Sequence, residues 1–339
     1  MDIQQVAKRA NVSTATVSRV LNGFPGVRPK TVDKVQRAVA DLNYVPNPNA
    51  RSLRVGSTRL FGLIVSDVNN QFFPELIDAF EALASAEGID VIFTHTNYDL
   101  KRLHRCVRRM IERSVDAIAI MTSEVEEDSL KQVHKAGIPV VLMNQRRYAA
   151  KYPSIPVEYT TGFREALDHL LSLGHRDIGF IAGPQNLNSA RGRKDAFRTA
   201  LRKHGLHVRS EWIAEGDMRV EGGRIAMQKL LEANPRPTAV IATNDMMAVG
   251  ALQAAHAARV SVPKNLSLIG FDDIPIASLV RPSLSTIRHP RREVAARAFN
   301  CLQSALKGEI VNGGPTLHPH LVIRNSTAPP ARKSRNACK

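Results

Sequence analysis

Residues 3–23 read IQQVAKRANVSTATVSRVLNG, and two short helical periods lie inside them. Ile3, Val6, Ala7 and Ala10 recur at i, i+3, i+4 and i+7, one face of a helix. Asp2 and Gln5 have the spacing of a capping box at its start. Asn11, Val12 and Ser13 interrupt the period, and Ser13 suits the N-cap of a second helix whose buried stripe is Val17, Val20 and Leu21. Beyond the turn NGFPGVRP, Val32, Val35, Val39 and Leu42 mark a third helix. Two helices joined by so short a turn form a helix-turn-helix.

The outer arc of the second helix carries Thr14, Ala15, Ser18 and Arg19, followed by Asn22, and no acidic residue falls within 13–23. Small side chains let a helix axis approach base edges in the major groove, and a carboxylate there would repel phosphate. Arg19 matches the O6 and N7 acceptors of guanine, Thr14 offers a hydroxyl or a methyl group, and Ala15 packs on a thymine methyl. Thr14, Ala15, Ser18 and Arg19 are the expected base readers. Lys8, Arg28, Lys30 and Lys34, with Arg9 and Arg37, are placed for phosphate contacts. The whole chain of 339 residues has a formal charge of +16, which favours a polyanionic partner. Double-stranded DNA is the expected one.

Residues 44–59, YVPNPNARSLRVGSTR, are punctuated by Pro46 and Pro48 and read as a linker, with NARSL long enough for barely two helical turns. From Leu60 onward, apolar runs such as LFGLIV, VDAIAIM, IPVVLMN, TAVIAT and LSLIGFDD alternate with amphipathic helices. That rhythm implies parallel strands with helical crossovers, and its length suggests two sheets. The terminal stretch NSTAPPARKSRNACK has little to bury and is expected to be disordered. No apolar run reaches a membrane span, and the polar start MDIQQVAKRA lacks the apolar stretch of a signal peptide. Cys106, Cys301 and Cys338 are widely spaced and read as reduced thiols. A cytoplasmic, nucleoid-associated protein without membrane contact is expected.

Ligands of open parallel sheets bind beyond the carboxyl ends of the strands. Four such loops offer amides, rings and charges: SDVNNQFF after LFGLIV, PQNLNSARGR after IGFIAG, NDMM after TAVIAT and DDIP after LSLIGF. Asn69, Gln71, Phe72, Arg191, Asn244 and Asp272 are the expected effector-binding residues, with Asn70 and Phe73 beside them. Polar forks plus an apolar face suit a hydroxyl-rich ring. Arg193 reads as the partner of a nearby carboxylate, Asp245 as a helix N-cap and Asp273 as a turn former; one of Phe72 and Phe73 is expected in the core. No phosphate loop, GxSxG elbow or HExxH motif is present, and the HPH of 318–320 lacks a third ligand. No catalytic residue, metal or cofactor is expected, and His169 and His175 read as structural.

The run IQQVAKRANVSTATVSRVLNG, followed by LNYVPNPNARSL, SLGHRDIGFIAGP, NDMMAVGAL, VPKNLSLIGFDD and RPSLSTI, resembles the lactose-repressor/galactose-repressor (LacI/GalR) family over Met1 to about Asn325. The resemblance implies a small all-α helix-turn-helix headpiece at 1–46 and a hinge at 47–57. It further implies a periplasmic-binding-protein-like α/β core of two parallel-sheet subdomains, 58–157 with 287–317 and 158–286 with 318–327, before a basic tail at 328–339. By family pattern Thr14, Ala15 and Arg19 read bases, Asn49, Ala50, Arg51 and Leu53 belong to a hinge helix, and Leu53 wedges into the minor groove. Arg191, Asn244 and Asp272 match effector positions. Asn144, Tyr159 and Thr160 depart from the pattern, at a pocket edge and at the subdomain crossover. The expectation is a homodimeric repressor that leaves a palindromic operator when a small sugar-like effector binds. A purine- or other metabolite-corepressed regulator, or a solute-binding protein without a transcriptional role, are the alternatives.

Overall fold

The computed structural model describes residues 2–21, 23–44, 56–144, 148–207 and 209–331. They form two compact units, Met1–Thr58 and Arg59–Lys339.

The first unit is all helical: α1 (Ile3–Ala10), α2 (Thr14–Leu21) and α3 (Pro29–Asp41). The capping box forms, with Asp2 accepting from the Gln5 backbone N–H at 3.0 Å and Gln5 returning the bond at 3.1 Å. Asn11 ends α1 in the left-handed region, φ 56°, which Asn adopts at lower cost than most residues. Ser13 Oγ then accepts the Thr16 N–H at 3.2 Å. Val6, Ala7, Ala10, Val17, Val35 and Ala38 close the small core.

The second unit holds two sheets. The first contains β1 (Leu60–Val65), β2 (Asp90–His95), β3 (Ala117–Met121), β4 (Val140–Met143) and β5 (Ser154–Ile155), in the order β2-β1-β3-β4-β5, all parallel. The second contains β6 (Ile178–Ala182), β7 (Ile213–Glu215), β8 (Ala239–Ala242), β9 (Ser267–Asp272), β10 (Ser285–Arg288) and β11 (His320–Val322). Its order is β11-β10-β9-β8-β6-β7, with only β11 antiparallel. The central strands β3, β6, β8 and β9 are buried along their whole length, as strands covered on both faces must be.

The chain passes between the two halves three times. Near the first and third passages Val157 bridges Leu317, and Glu158 N–H donates to Leu317 O at 2.9 Å. The second passage follows β10, which pairs with β9 through Arg288, so the return to the first half comes after Arg288 and not at the expected 287. The helix Arg291–Leu306 then packs Val294, Ala298 and Phe299 against Phe61 and Phe80 of the first half.

The tail departs from expectation. Ser326 is fully buried, accepting from the Ser285 N–H at 2.8 Å and donating to Leu268 O at 2.5 Å, and Ala328 N–H donates to Ser267 Oγ at 3.0 Å. Hydrogen bonds, not apolar burial, order this stretch as far as the described residues reach. His175 is structural as expected, buried between Thr238, Ser267 and Ala328, and burial pushes its pKa down. Among the described residues no helix is long and apolar enough to cross a membrane.

Candidate nucleic-acid interface and ligand cavity

On α2, Thr14, Ala15 and Arg19 are exposed, and Ala15 and Arg19 are i, i+4 neighbours on one face. Ser18 falls on the same arc, about 40° from Thr14 and 60° from Ala15 at 100° per residue, but also about 60° from Leu21 on the edge of the apolar stripe, and it is buried, 7% exposed. Lys8, Arg28, Lys30 and Lys34 are all exposed, whereas Arg9 is tied to Asp41 at 2.8 Å. Asn22 and the hinge residues Asn49, Ala50, Arg51 and Leu53 lie outside the described residues.

In the second unit, the carboxyl ends of both sheets face a cavity of about 380 Å³. Asn70, Phe72 and Phe73 reach it from the loop after β1, and Tyr98 from the loop after β2. Arg193 reaches it from the helix Asn188–Lys203, Asp272 from the end of β9, and Tyr159 and His289 from the crossovers. Phe72 and Phe73 are both buried and both line it, so neither is spared for the core alone.

Of the six expected effector residues, Phe72 and Asp272 line the cavity and the other four do not. Asn69 is exposed and bonds back to Asp67. Gln71 is part-buried beside the cavity wall and does not line it. Arg191 is exposed and held by Asn188. Asn244 is fully buried: its Oδ1 caps the helix Asp245–Ala257 by accepting the Met247 N–H at 2.9 Å, and its Nδ2 donates to Met218 O at 2.8 Å. Asp245, expected as the cap, instead accepts from the Ile274 N–H at 2.9 Å and the Thr286 hydroxyl at 2.6 Å. Asp273 does turn the chain, at φ 59°, and also anchors Arg288 and Arg324, each at 2.6 Å.

Arg193 is the arginine of the cavity. Ala190, Phe197 and Ala200 bury one face of its helix, and position 193 falls on that face while 191 falls off it. The guanidinium donates to Asp272 Oδ1 at 3.1 Å and to Thr243 O at 2.8 Å, and lies 4.0 Å over the Phe271 ring. It therefore pairs with a carboxylate, as expected, and also forms the cavity wall. Asn144 and Tyr159–Thr160, the departures from the family pattern, line the cavity too.

Burial pushes the Asp272 carboxyl up, with Arg193 and Arg291 working against it. Burial also drives the Tyr98 phenol above its usual range, helped by Asp67 and Asp272. His289 is held far below the ordinary imidazole value by burial, then by Arg193 and Arg291, so it is neutral. Among the described residues no group of three or more His, Cys, Asp or Glu is placed to hold a metal ion.

Comparison with known proteins matches residues 2–47 to the bacterial regulatory proteins of the lacI family and residues 167–327 to a periplasmic binding protein-like domain. The chain is 33% identical to catabolite control protein A of Priestia megaterium, over 96% of this chain and 98% of that one. It is 35% identical to the HTH-type transcriptional repressor PurR of Salmonella newport (strain SL254), over 96% of each. Its backbone matches the lac repressor dimer bound to operator and the anti-inducer ONPF with a TM-score of 0.85, at 28% identity, covering 97% of this chain and 99% of that one. The chain belongs to the lacI family of bacterial regulatory proteins, as a ligand-responsive, DNA-binding transcriptional repressor.

Proposed function

We propose that this lacI-family repressor holds a palindromic operator as a homodimer and releases it when a hydroxyl-rich, sugar-like molecule fills the cavity between its two sheets. The observation that carries the effector reading is that cavity: about 380 Å³, walled by Phe72, Phe73 and Tyr159, with Asn70, Tyr98, Arg193 and Asp272 as polar groups. Aromatic rings offer an apolar face to a hydroxyl-bearing ring, and forked polar groups fix its orientation. In each protomer Thr14, Ala15 and Arg19 read base edges, and Lys8, Arg28, Lys30 and Lys34 meet phosphates. Asn49, Ala50, Arg51 and Leu53 take the hinge and minor-groove role that the family resemblance gives them. The protein acts in the cytoplasm, at the nucleoid, and performs no catalysis.

Selection of bound duplexes from a random pool tests the DNA reading. A two-fold symmetric consensus is expected, and Arg19→Ala should relax one base position per half-site, worth about 1–3 kcal/mol of discrimination. Uniform weakening with unchanged preference would make Arg19 a phosphate contact. The second reading is a purine- or other metabolite-corepressed regulator, in which the ligand tightens DNA binding instead of loosening it. The sign of the ligand effect on operator affinity separates the two.

A further inference from the structure

Among the described residues, the cation of the cavity lining is already paired. Arg193 is paired with Asp272 at 3.1 Å, their side chains 8% and 2% exposed. The Glu158 carboxylate accepts from the Thr160 N–H at 2.5 Å, and from the Thr161 N–H at 3.1 Å and hydroxyl at 2.9 Å, which turns it toward the start of the helix Thr160–Ser172 that follows it. Asp195, the remaining acid in the wall, is exposed. Behind the wall Arg291 is engaged with Glu75 at 2.6 Å, and Arg219 lies 3.6 Å from Asp67. Among the described residues no cation in the lining stands without a carboxylate, so a phosphate or carboxylate ligand would meet only an arginine whose charge Asp272 already offsets.

Two buried polar atoms in the wall are the opposite case. His289 is 3% exposed, and its Nδ1 has no hydrogen-bond partner among the described residues. Arg193 is 6% exposed, and its Nε also has none. Buried polar atoms are nearly always satisfied, so two in one cavity wall mark where a ligand's polar groups belong. His289 also touches both halves of the core. Its ring meets Phe72 of the first half edge-on at 4.9 Å, and lies 6.3 Å from each of Tyr159 and Phe271. It stands in the crossover directly after β10, its N–H donating to Asp272 O at 3.3 Å. As a neutral imidazole it can give or take one hydrogen bond without adding charge.

We infer that the cavity is built for an uncharged ligand, hydrogen-bonded by the His289 imidazole from the crossover, and that phosphate esters of that ligand are rejected. The inference rests on the effector reading above and sharpens it, because it separates a sugar, nucleoside or base from its phosphorylated form. It also makes His289 the residue that sets specificity where the two halves meet.

Calorimetric titration of the full chain with matched pairs tests this: D-ribose with ribose 5-phosphate, D-glucose with glucose 6-phosphate, D-galactose with galactose 1-phosphate, and adenosine with its monophosphate. A neutral parent should bind, and its ester should bind at least about 100-fold more weakly, the cost of an unpaired buried charge. His289→Leu should weaken the neutral parent by about ten- to a hundred-fold, and His289→Gln, which keeps a neutral hydrogen-bonding group, by less. An ester that binds as tightly as its parent overturns the inference, as does a neutral parent that binds unchanged to His289→Leu. If no member of any pair binds, the effector cavity itself falls and the inference falls with it. If a pair binds but ignores both the phosphate and His289, the cavity stands and only the inference is lost.

Discussion

Replacing Arg193 by Met should destabilise the second half of the core by an amount that depends on pH, and the sign of that dependence is fixed by what is left behind. Asp272 is 1% exposed and loses its direct partner, the Thr243 carbonyl loses a donor at 2.8 Å, and the Phe271 ring loses a cation at 4.0 Å. Breaking a buried pair from one side costs about 3–5 kcal/mol. A second bound comes from protonation. A stranded carboxylate can take up a proton instead of staying charged, at about 1.4 kcal/mol for each unit between the pH and its ordinary value near 4. That bound is about 4 kcal/mol at pH 7 and about 1.5 kcal/mol at pH 5. Arg291 still faces Asp272 and lowers both figures somewhat. Asp272→Asn strands a guanidinium that does not titrate, so its loss should stay flat over the same range. The double variant Arg193→Met/Asp272→Asn should recover about 2–3 kcal/mol of the summed single losses, within the range of coupling for contacting residues. Urea unfolding followed through Trp212, the only tryptophan and buried in the second half, reads all four proteins. If Arg193→Met lost less than about 1 kcal/mol at pH 7, or if the two single losses simply added, the pair would not be the electrostatic unit described here.

Further outcomes follow from the same packing and ionisation. Gly250→Ala should destabilise by roughly 1–3 kcal/mol, because a Cβ there would sit 1.8 Å from Val220 O, where the helices Val220–Glu232 and Asp245–Ala257 touch backbone to backbone. The gain usual for Gly→Ala in an open helix, seen in thermal unfolding, would show that this contact is not tight. Burial works against ionisation of Glu158, but hydrogen bonds from Thr160 and Thr161 bring its carboxyl down to about 2. Because the folded value lies below the unfolded one of 4.5, its contribution is complete above about 4.5 and is lost as pH falls through about 2. Glu158→Gln should flatten that part of the acid-unfolding curve, and an unchanged curve would assign the slope elsewhere.

What the sequence made legible was what neighbours in the chain decide. The Asp2–Gln5 box, the Ser13 cap and the buried strands are set by residues a few positions apart, so spacing exposes them. Arg193 was legible in principle, since the Ala190–Phe197–Ala200 stripe fixes the phase of its helix, but loop composition pointed to Arg191 instead. Ser18 shows the limit of phase: on the flank of a stripe, 60° does not decide between solvent and core. Tyr98 and His289 carried no signal, because parallel sheets bring together loops 191 residues apart in the chain, and nothing local announces the meeting. The stretch 325–331 misled in another way: its composition offers little apolar surface, and its order comes from Ser326 and Ala328 hydrogen-bonding to β9.

The two halves of the core are joined by covalent crossovers, by modest polar contacts across the cleft and by an apolar seam, in which Ile274 of the second half is buried in the core of the first with Met246 and Ile276 packed against it. Asn188 N–H donates to Glu124 at 2.9 Å, Ser123 bonds Ser189 at 3.1 Å, and Arg219 spans to Asp67 at 3.6 Å and to Asn97 at 3.1 Å. Arg219 and Asn188 retain solvent exposure, and such pairs contribute about 0–1 kcal/mol each. Together these polar pairs can bias the relative orientation of the halves by about 1–3 kcal/mol. A ligand held between Phe72, Tyr159 and His289 touches groups from both halves, so its affinity must differ between orientations, which is the condition for shifting their populations. Reversing a 1:99 bias needs a differential of about 5.5 kcal/mol, within reach of two or three buried hydrogen bonds and one stacked ring.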